Sequence, residues 1–231
     1  MSFGCNKNRH DSQYFKFPNK FLKIIKAMVG FSEKAQQLGF SRFSDIPEHL
    51  VYEEWDGVPI LYRGAQAQML QNYNLNELEM GSSIFQSLII GYILKVLFSS
   101  NLDNKKYAIL TNKPGLHLGY RNNISNDIAI VERGRIQNKR SVQYSTVPPK
   151  VAIEVDVKAD YEQEFESFDD YINQKTQKLL AFGVEKVIWI LSSERQEVRV
   201  STPAQTTIHA WTDTIETLEG VTFCLNDMDL S

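Results

Sequence analysis

The stretch PPKVAIEVDVKAD, residues 148–160, spaces Glu154, Asp156 and Lys158 two residues apart. At strand spacing these side chains share one face, about 6.5–7 Å between successive members. Val151, Ile153, Val155 and Val157 then share the other. Two carboxylates so placed either flank a divalent cation together or leave it to one of them. Mg2+ takes oxygen ligands, few of them from protein, with water and phosphate oxygens completing the shell. Asp127, which opens the apolar stretch NDIAIVER, supplies another carboxylate. A lysine beside such a site would orient an attacking water and offset charge on a phosphate.

Two lysines compete for that role. Lys158 completes a literal D-x-K with Asp156 on the same strand face. Lys175 lies in a different pattern: Phe168, Ile172, Lys175, Leu179 and Phe182 recur at helical steps, and Lys175 is the only charge among them. A lysine in a buried stripe either snorkels to solvent or meets buried acids, and Glu154 is an acid it could meet. A snorkelling lysine would tolerate replacement by methionine. The alternation of Glu154, Asp156 and Lys158 is equally what the wet face of a half-exposed strand looks like.

Other chemistries lack their signatures. The chain has no GxGxxG after a strand, no GxxxxGK[ST], no HExxH and no GxSxG. His10, His49, His117 and His209 show no metal spacing, and Cys5 and Cys224 form no CxxC. The cysteine usage suits a reducing, cytoplasmic setting.

The elements that must position these groups are legible in outline. Residues 17–38 read as a helix with a stripe of Phe17, Phe21, Ile24 or Ile25, and Met28. LVYEEWDGVPILYRG reads as two short strands around Asp56-Gly57, and a helix is expected over about 65–78. MGSSIFQSLIIGYILKVLFSS is a helix capped by Ser82 or Ser83. It is apolar nearly all round, which implies burial against a sheet. KKYAILTN and NDIAIVER are strands, with PGLHLGYRNN a loop or ragged hairpin between them. A helix over roughly 165–182 ends at Gly183. EKVIWIL, QEVRVS and TTIHAW are strands, and LEGVTFCLNDM closes the chain. The pattern is a mixed sheet flanked by helices.

Net charge is −3, unlike a strongly basic nucleic-acid binder. Residues 1–42 hold eight Lys or Arg against Asp11 and Glu33, a local +6 that leaves −9 elsewhere. Such an arm either contacts phosphates or is the solvated face of a helix. The N-terminus has no signal-peptide core, and no apolar run is long enough for a membrane span.

The order NDIAIV, PPKVAIEV, KTQKLLAFGVEKVIWIL resembles the Uma-type endonuclease family of the PD-(D/E)XK, restriction-endonuclease-like superfamily. The similarity extends over about residues 50–225 and takes in the acidic-Gly turn YEEWDG and the LEMGSSIFQSLIIGYIL helix. It implies an α/β (α+β) domain over 46–231 with a restriction-endonuclease-like core, after a helical extension over 1–45. It implies a Mg2+- or Mn2+-dependent hydrolase cutting DNA, with Asp127 at the P-D position, Glu154 at the acidic position and Lys175 as the lysine moved onto the following helix. Asp127 and Glu154 would bind the metal, with Asp156 as a further ligand; a homodimer would suit cutting both strands. This chain departs from the family pattern at Asn126, which replaces the proline, at Asp156-Val157-Lys158, and at Leu179, which replaces a tyrosine. A nuclease fold kept as a binding or regulatory module, without turnover, is the alternative. The acids between Asp160 and Asp170 favour that alternative, since a DNA-facing surface should attract phosphate.

Overall fold

The computed structural model describes residues 46–65, 82–157, 159–161, 164–192 and 195–230. The expected helices over 17–38 and 65–78 fall almost wholly outside these residues, and so does Lys158. In chain order the elements are β1 (Val51–Trp55), β2 (Val58–Leu61), α1 (Ile84–Ser99), β3 (Tyr107–Thr111), β4 (Gly115–Gly119), β5 (Asn122–Ser125) and β6 (Ile128–Glu132). Then come β7 (Val151–Val155), α2 (Phe168–Phe182), β8 (Lys186–Leu191), β9 (Glu197–Ser201), β10 (Thr206–Ala210), β11 (Ile215–Glu216) and β12 (Thr222–Phe223).

Six strands form a mixed sheet in the order β10-β9-β8-β7-β6-β3. Only β7 and β8 pair in parallel, and α2 supplies the crossover that a parallel pair requires. A second, antiparallel sheet has the order β2-β1-β5-β4. Its first hairpin turns at Asp56 (φ 51°) and Gly57 (φ 89°). Both lie in the left-handed region that a two-residue type I′ turn demands. The ragged PGLHLGYRNN segment is the β4–β5 hairpin.

Period-two alternation sorts the large sheet into two cores. Val151, Ile153 and Val155 of β7, with Ile188 and Ile190 of β8, pack with Ile89, Ile93 and Leu97 of α1. Ala152, Val187, Trp189 and Leu191 point the other way, onto Tyr171, Ile172 and Leu179 of α2. Trp55, Ile60, Leu116 and Ile124 of the small sheet join this second core, so α2 touches both sheets. Although α1 is apolar nearly all round, only one stripe of it is buried: Ile84, Leu88 and Phe98 are exposed.

One strand stops earlier than its pattern suggests. The alternation of valines predicts a strand through Val157, but β7 ends at Val155. Asp156 has φ 55°, a conformation that Asp tolerates better than most residues. Its N–H donates to Ile190 O at 2.9 Å, and its carboxylate accepts from Ser192 N (2.7 Å) and Ser192 Oγ (2.5 Å). The kink turns Val157 away from Val155 and into the core beneath α2. It also sends the chain toward the small sheet, where Asp160 N donates to Leu61 O at 2.8 Å. Local hydrogen bonding by the Asp156 carboxylate outcompetes the period-two pattern.

Both ends of α2 are capped. Ser167 Oγ accepts from Asp170 N at 3.1 Å, and Asp169 and Asp170 lie in the first turn, where the helix dipole favours them. Gly183 closes the helix at φ 109°, with its N–H on Leu180 O and the Val184 N–H on Leu179 O. An added Cβ at Gly183 would sit 3.2 Å from Pro148 Cγ. Gly183→Ala is therefore expected to lower stability by about 1–2 kcal/mol, read as a fall in the urea midpoint. An unchanged midpoint would contradict this account of the cap.

Candidate active site

Three elements converge on one ammonium. β1 alternates inward through Glu53 and Trp55, both buried. β7 contributes Glu154 on the face that carries Ala152, and α2 brings Lys175 on the stripe with Tyr171, Ile172 and Leu179. Lys175 Nζ lies 2.8 Å from Glu53 Oε1 and 2.9 Å from Glu154 Oε1, with side-chain exposures of 0%, 0% and 1% for the three residues. The rings of Tyr52 and Trp189 flank the ammonium at 5.6 and 5.5 Å, a distance at which ring faces attract a cation. Lys175 is thus paired, and snorkelling is excluded.

Each carboxylate is further held. Ser125 N donates to Glu53 Oε1 at 3.0 Å, and Trp55 Nε1 donates to Glu53 Oε2 at 2.9 Å. Asn126 Nδ2 donates to Glu154 Oε1 at 2.6 Å. Extending the β6–β7 register by one residue beyond Ile128↔Ile153 sets Asp127 opposite Glu154. The Asp127 carboxylate accepts the Val155 N–H at 2.7 Å and a long hydrogen bond of 3.5 Å from Gln86 Nε2. Gln86, buried on α1, also donates to Val155 O at 2.5 Å. Asp127, Glu154 and Lys175 are therefore brought together. Asp156 spends both its oxygens on Ser192 instead, and Lys158 lies outside the described residues.

The electrostatics follow from burial. Desolvation pushes the Glu154 carboxyl up to about 8, against the opposing charge of Lys175 and with smaller rises from Asp127 and Glu53. Burial alone would depress Lys175, but Glu154 and Glu53 override it and hold the ammonium well above its ordinary value. At neutral pH the cluster therefore holds an ionised Lys175 between Glu53 and Glu154, with burial pushing Glu154 toward its protonated form. Desolvation, followed by the charge of Glu53, raises Tyr171 well above the usual phenol range; its buried hydroxyl has no hydrogen-bond partner by geometry.

The donor set suits a hard cation. Asp127 and Glu154 offer carboxylates from neighbouring strands, and the buried Asn126 Oδ1 beside them has no hydrogen-bond partner. Among the described residues no group of three or more His, Cys, Asp or Glu has metal-binding geometry. Water and phosphate oxygens would have to complete the shell, as is usual for Mg2+. A cleft of about 480 Å³ runs up to the cluster, lined by Tyr52, Glu53, Arg121, Asn123, Ser125 and Tyr144 among others.

A mixed sheet with a helix on each face, and a buried Glu–Lys–Glu cluster between it and the small sheet, defines an α+β domain. The chain is similar to the crystal structure of a putative nuclease belonging to DUF820 from Anabaena variabilis ATCC 29413. The TM-score is 0.57 at 15% identity, over 80% of this chain and 94% of that one. The likeness is one of fold. No protein-family model and no curated protein matches the chain. Among the described residues no helix is long and apolar enough to cross a membrane.

Sequence reasoning passed over Glu53, Asn126, Gln86 and Tyr171. Glu53 and Gln86 had a signal: each is a polar residue at a position whose periodic neighbours, Trp55 for one and Ile89, Ile93 and Leu97 for the other, are core. Tyr171 lies one helical turn before Lys175 on its face. Asn126 had none.

Lys175→Met leaves the buried Glu53 without its partner, and is expected to cost roughly 3–5 kcal/mol at neutral pH. Adding Glu53→Gln should recover part of that loss. A double-mutant cycle by denaturation that proves additive would disprove the coupling. The pH dependence is specific too. Glu154 has a folded pKa of about 8 against an ordinary 4.5. Its contribution is fully present below about 4.5 and is lost as pH rises through about 8. With chelator present, stability should fall across this window by up to about 5 kcal/mol, and Glu154→Gln should flatten the fall.

Proposed function

We propose that the protein is a divalent-metal-dependent nuclease that hydrolyses phosphodiester bonds of DNA. The observation that carries this reading is the convergence of Asp127, Glu154 and Lys175 in a fold shared with a nuclease-like protein. Asp127 and Glu154 would hold Mg2+ or Mn2+. When bound, the cation would supply Lewis-acid stabilisation of the phosphoryl oxygens and make a water more acidic. It would also displace the proton from Glu154, because a cation favours the ionised carboxylate. Lys175, kept protonated and fixed by Glu53, would donate a hydrogen bond to the attacking water or to a phosphoryl oxygen. Attack by water on phosphorus breaks one P–O ester bond and leaves a phosphomonoester and a hydroxyl.

Burial favours a second reading, in which the fold serves as a binding or regulatory module. Lys175 and Glu154 are 0% and 1% exposed, and Asn126 occupies an oxygen of Glu154. A working site must open to a phosphodiester along the Glu53 cleft, whereas a silent one need not.

Titration calorimetry with Mn2+, beside a cleavage assay on plasmid and linear DNA, tests the proposal. The wild type is expected to bind the ion and to cut. Asp127→Ala should lose binding, and the near-isosteric Glu154→Gln should lose at least a hundredfold in cleavage rate while staying folded. Cutting that survives both substitutions would remove the site. Absence of metal binding, with and without duplex present, would leave the silent module.

A further inference from the structure

The connection from β6 to β7 carries a charge pattern unlike the rest of this acidic chain. Residues 133–150 hold Arg133, Arg135, Lys139, Arg140 and Lys150 and no acid, although the whole protein is at −3. Arg133 is spent on the carbonyls of Asn104 and Tyr107, and Lys150 pairs with Glu185 at 2.6 Å. Arg135, Lys139 and Arg140 are exposed, and none forms an ion pair among the described residues.

The far end of this connection is stapled beside the candidate site. Ser145 N donates to Gly115 O at 2.9 Å and Ser145 O accepts from His117 N at 2.8 Å, so the segment runs along β4. Tyr144 lies so close over Gly115 that a Cβ there would meet its ring at 2.6 Å. Tyr144 nevertheless remains 56% exposed, and it lines the cleft that also contains Glu53. Arg140 is four residues from Tyr144 and Lys139 is five, which caps their Cα separations from it at about 14 and 18 Å. That is within a few nucleotides of the cleft mouth.

We propose that this connection is the surface that takes the DNA strand: Arg135, Lys139 and Arg140 neutralise backbone phosphates, and Tyr144 stacks an unpaired base at the cleft mouth. The proposal rests on DNA being the ligand of the neighbouring cleft. Unpaired, exposed cations release counterions when they meet phosphates. A rigid aromatic ring in a cleft large enough for one nucleoside stacks any base without reading its sequence.

The test is binding of a fluorescent single-stranded oligonucleotide, and of its duplex, to the full chain at several salt concentrations with chelator present. For the single strand, the triple variant Arg135→Ala/Lys139→Ala/Arg140→Ala should make the slope of log affinity against log salt shallower by about 2, near 0.7 for each phosphate that is no longer neutralised. Exchanging each for the other basic residue should leave the slope as it is. Tyr144→Ala should weaken single-strand binding roughly tenfold and duplex binding less. Denaturation midpoints should not move for these exposed positions. An unchanged slope in the triple variant would overturn the proposal, placing the electrostatics elsewhere, for instance on the basic residues 1–42. Equal losses on single strand and duplex for Tyr144→Ala would overturn the stacking role. No binding of any DNA by the wild type would overturn both this surface and the DNA substrate. Binding through the loop without cleavage would keep this proposal and reject the nuclease.

Discussion

A lysine removed from water must find its charge partners inside the protein, and Lys175 finds two, one from each sheet. Glu53 comes from β1, Glu154 from β7, and the ammonium stands 2.8 and 2.9 Å from them. Burying three ionisable groups is costly, and the cost is contained only while the geometry holds. The small sheet, the large sheet and α2 must therefore keep their relative positions to within hydrogen-bonding tolerance. The aromatic packing around the cluster serves that end. Trp55 stacks on Tyr171 at 5.2 Å and meets Phe165 edge-on at 5.1 Å, while Trp189 ties to Thr176 by a 2.9 Å hydrogen bond.

The same constraint explains why an acid-rich face can sit in a protein interior. Two carboxylates and one ammonium do not balance, and with Asp127 close by the excess is negative. Protonation of Glu154 relieves it in the absence of metal, and a divalent cation would relieve it otherwise. A site that is slightly over-supplied with carboxylate is poised to accept positive charge.

Asp156 shows how a residue can suit one role in a sequence and take another in a fold. Its spacing from Glu154 is that of a second ligand, but its side chain closes the end of β7 onto Ser192 of the neighbouring strand connection. The bend that results carries the chain across to β2 and so helps to seat the small sheet, with Glu53, over the cluster. Its contribution in this structure is to shape the route of the chain, which periodicity has no means of showing.

Most of the framework was legible in local pattern. The inward stripe of α2, including the lone Lys175, the cap at Gly183, the alternation of β7 and the Asp56-Gly57 turn all follow from periods of 3.6 and 2 and from turn chemistry. The mixed sheet also follows from those patterns, whereas they left Lys175 either snorkelling or meeting an acid such as Glu154, and the structure shows the pairing. What the sequence left open was decided by meetings between residues distant along the chain. Glu53 meets Lys175 across 122 positions, and Gln86 meets Val155 across 69. No local rule encodes such meetings, because they depend on how two sheets and two helices pack. Periodicity tells which side chains turn inward; only the assembled core determines which of them touch, and therefore which charges must be shared.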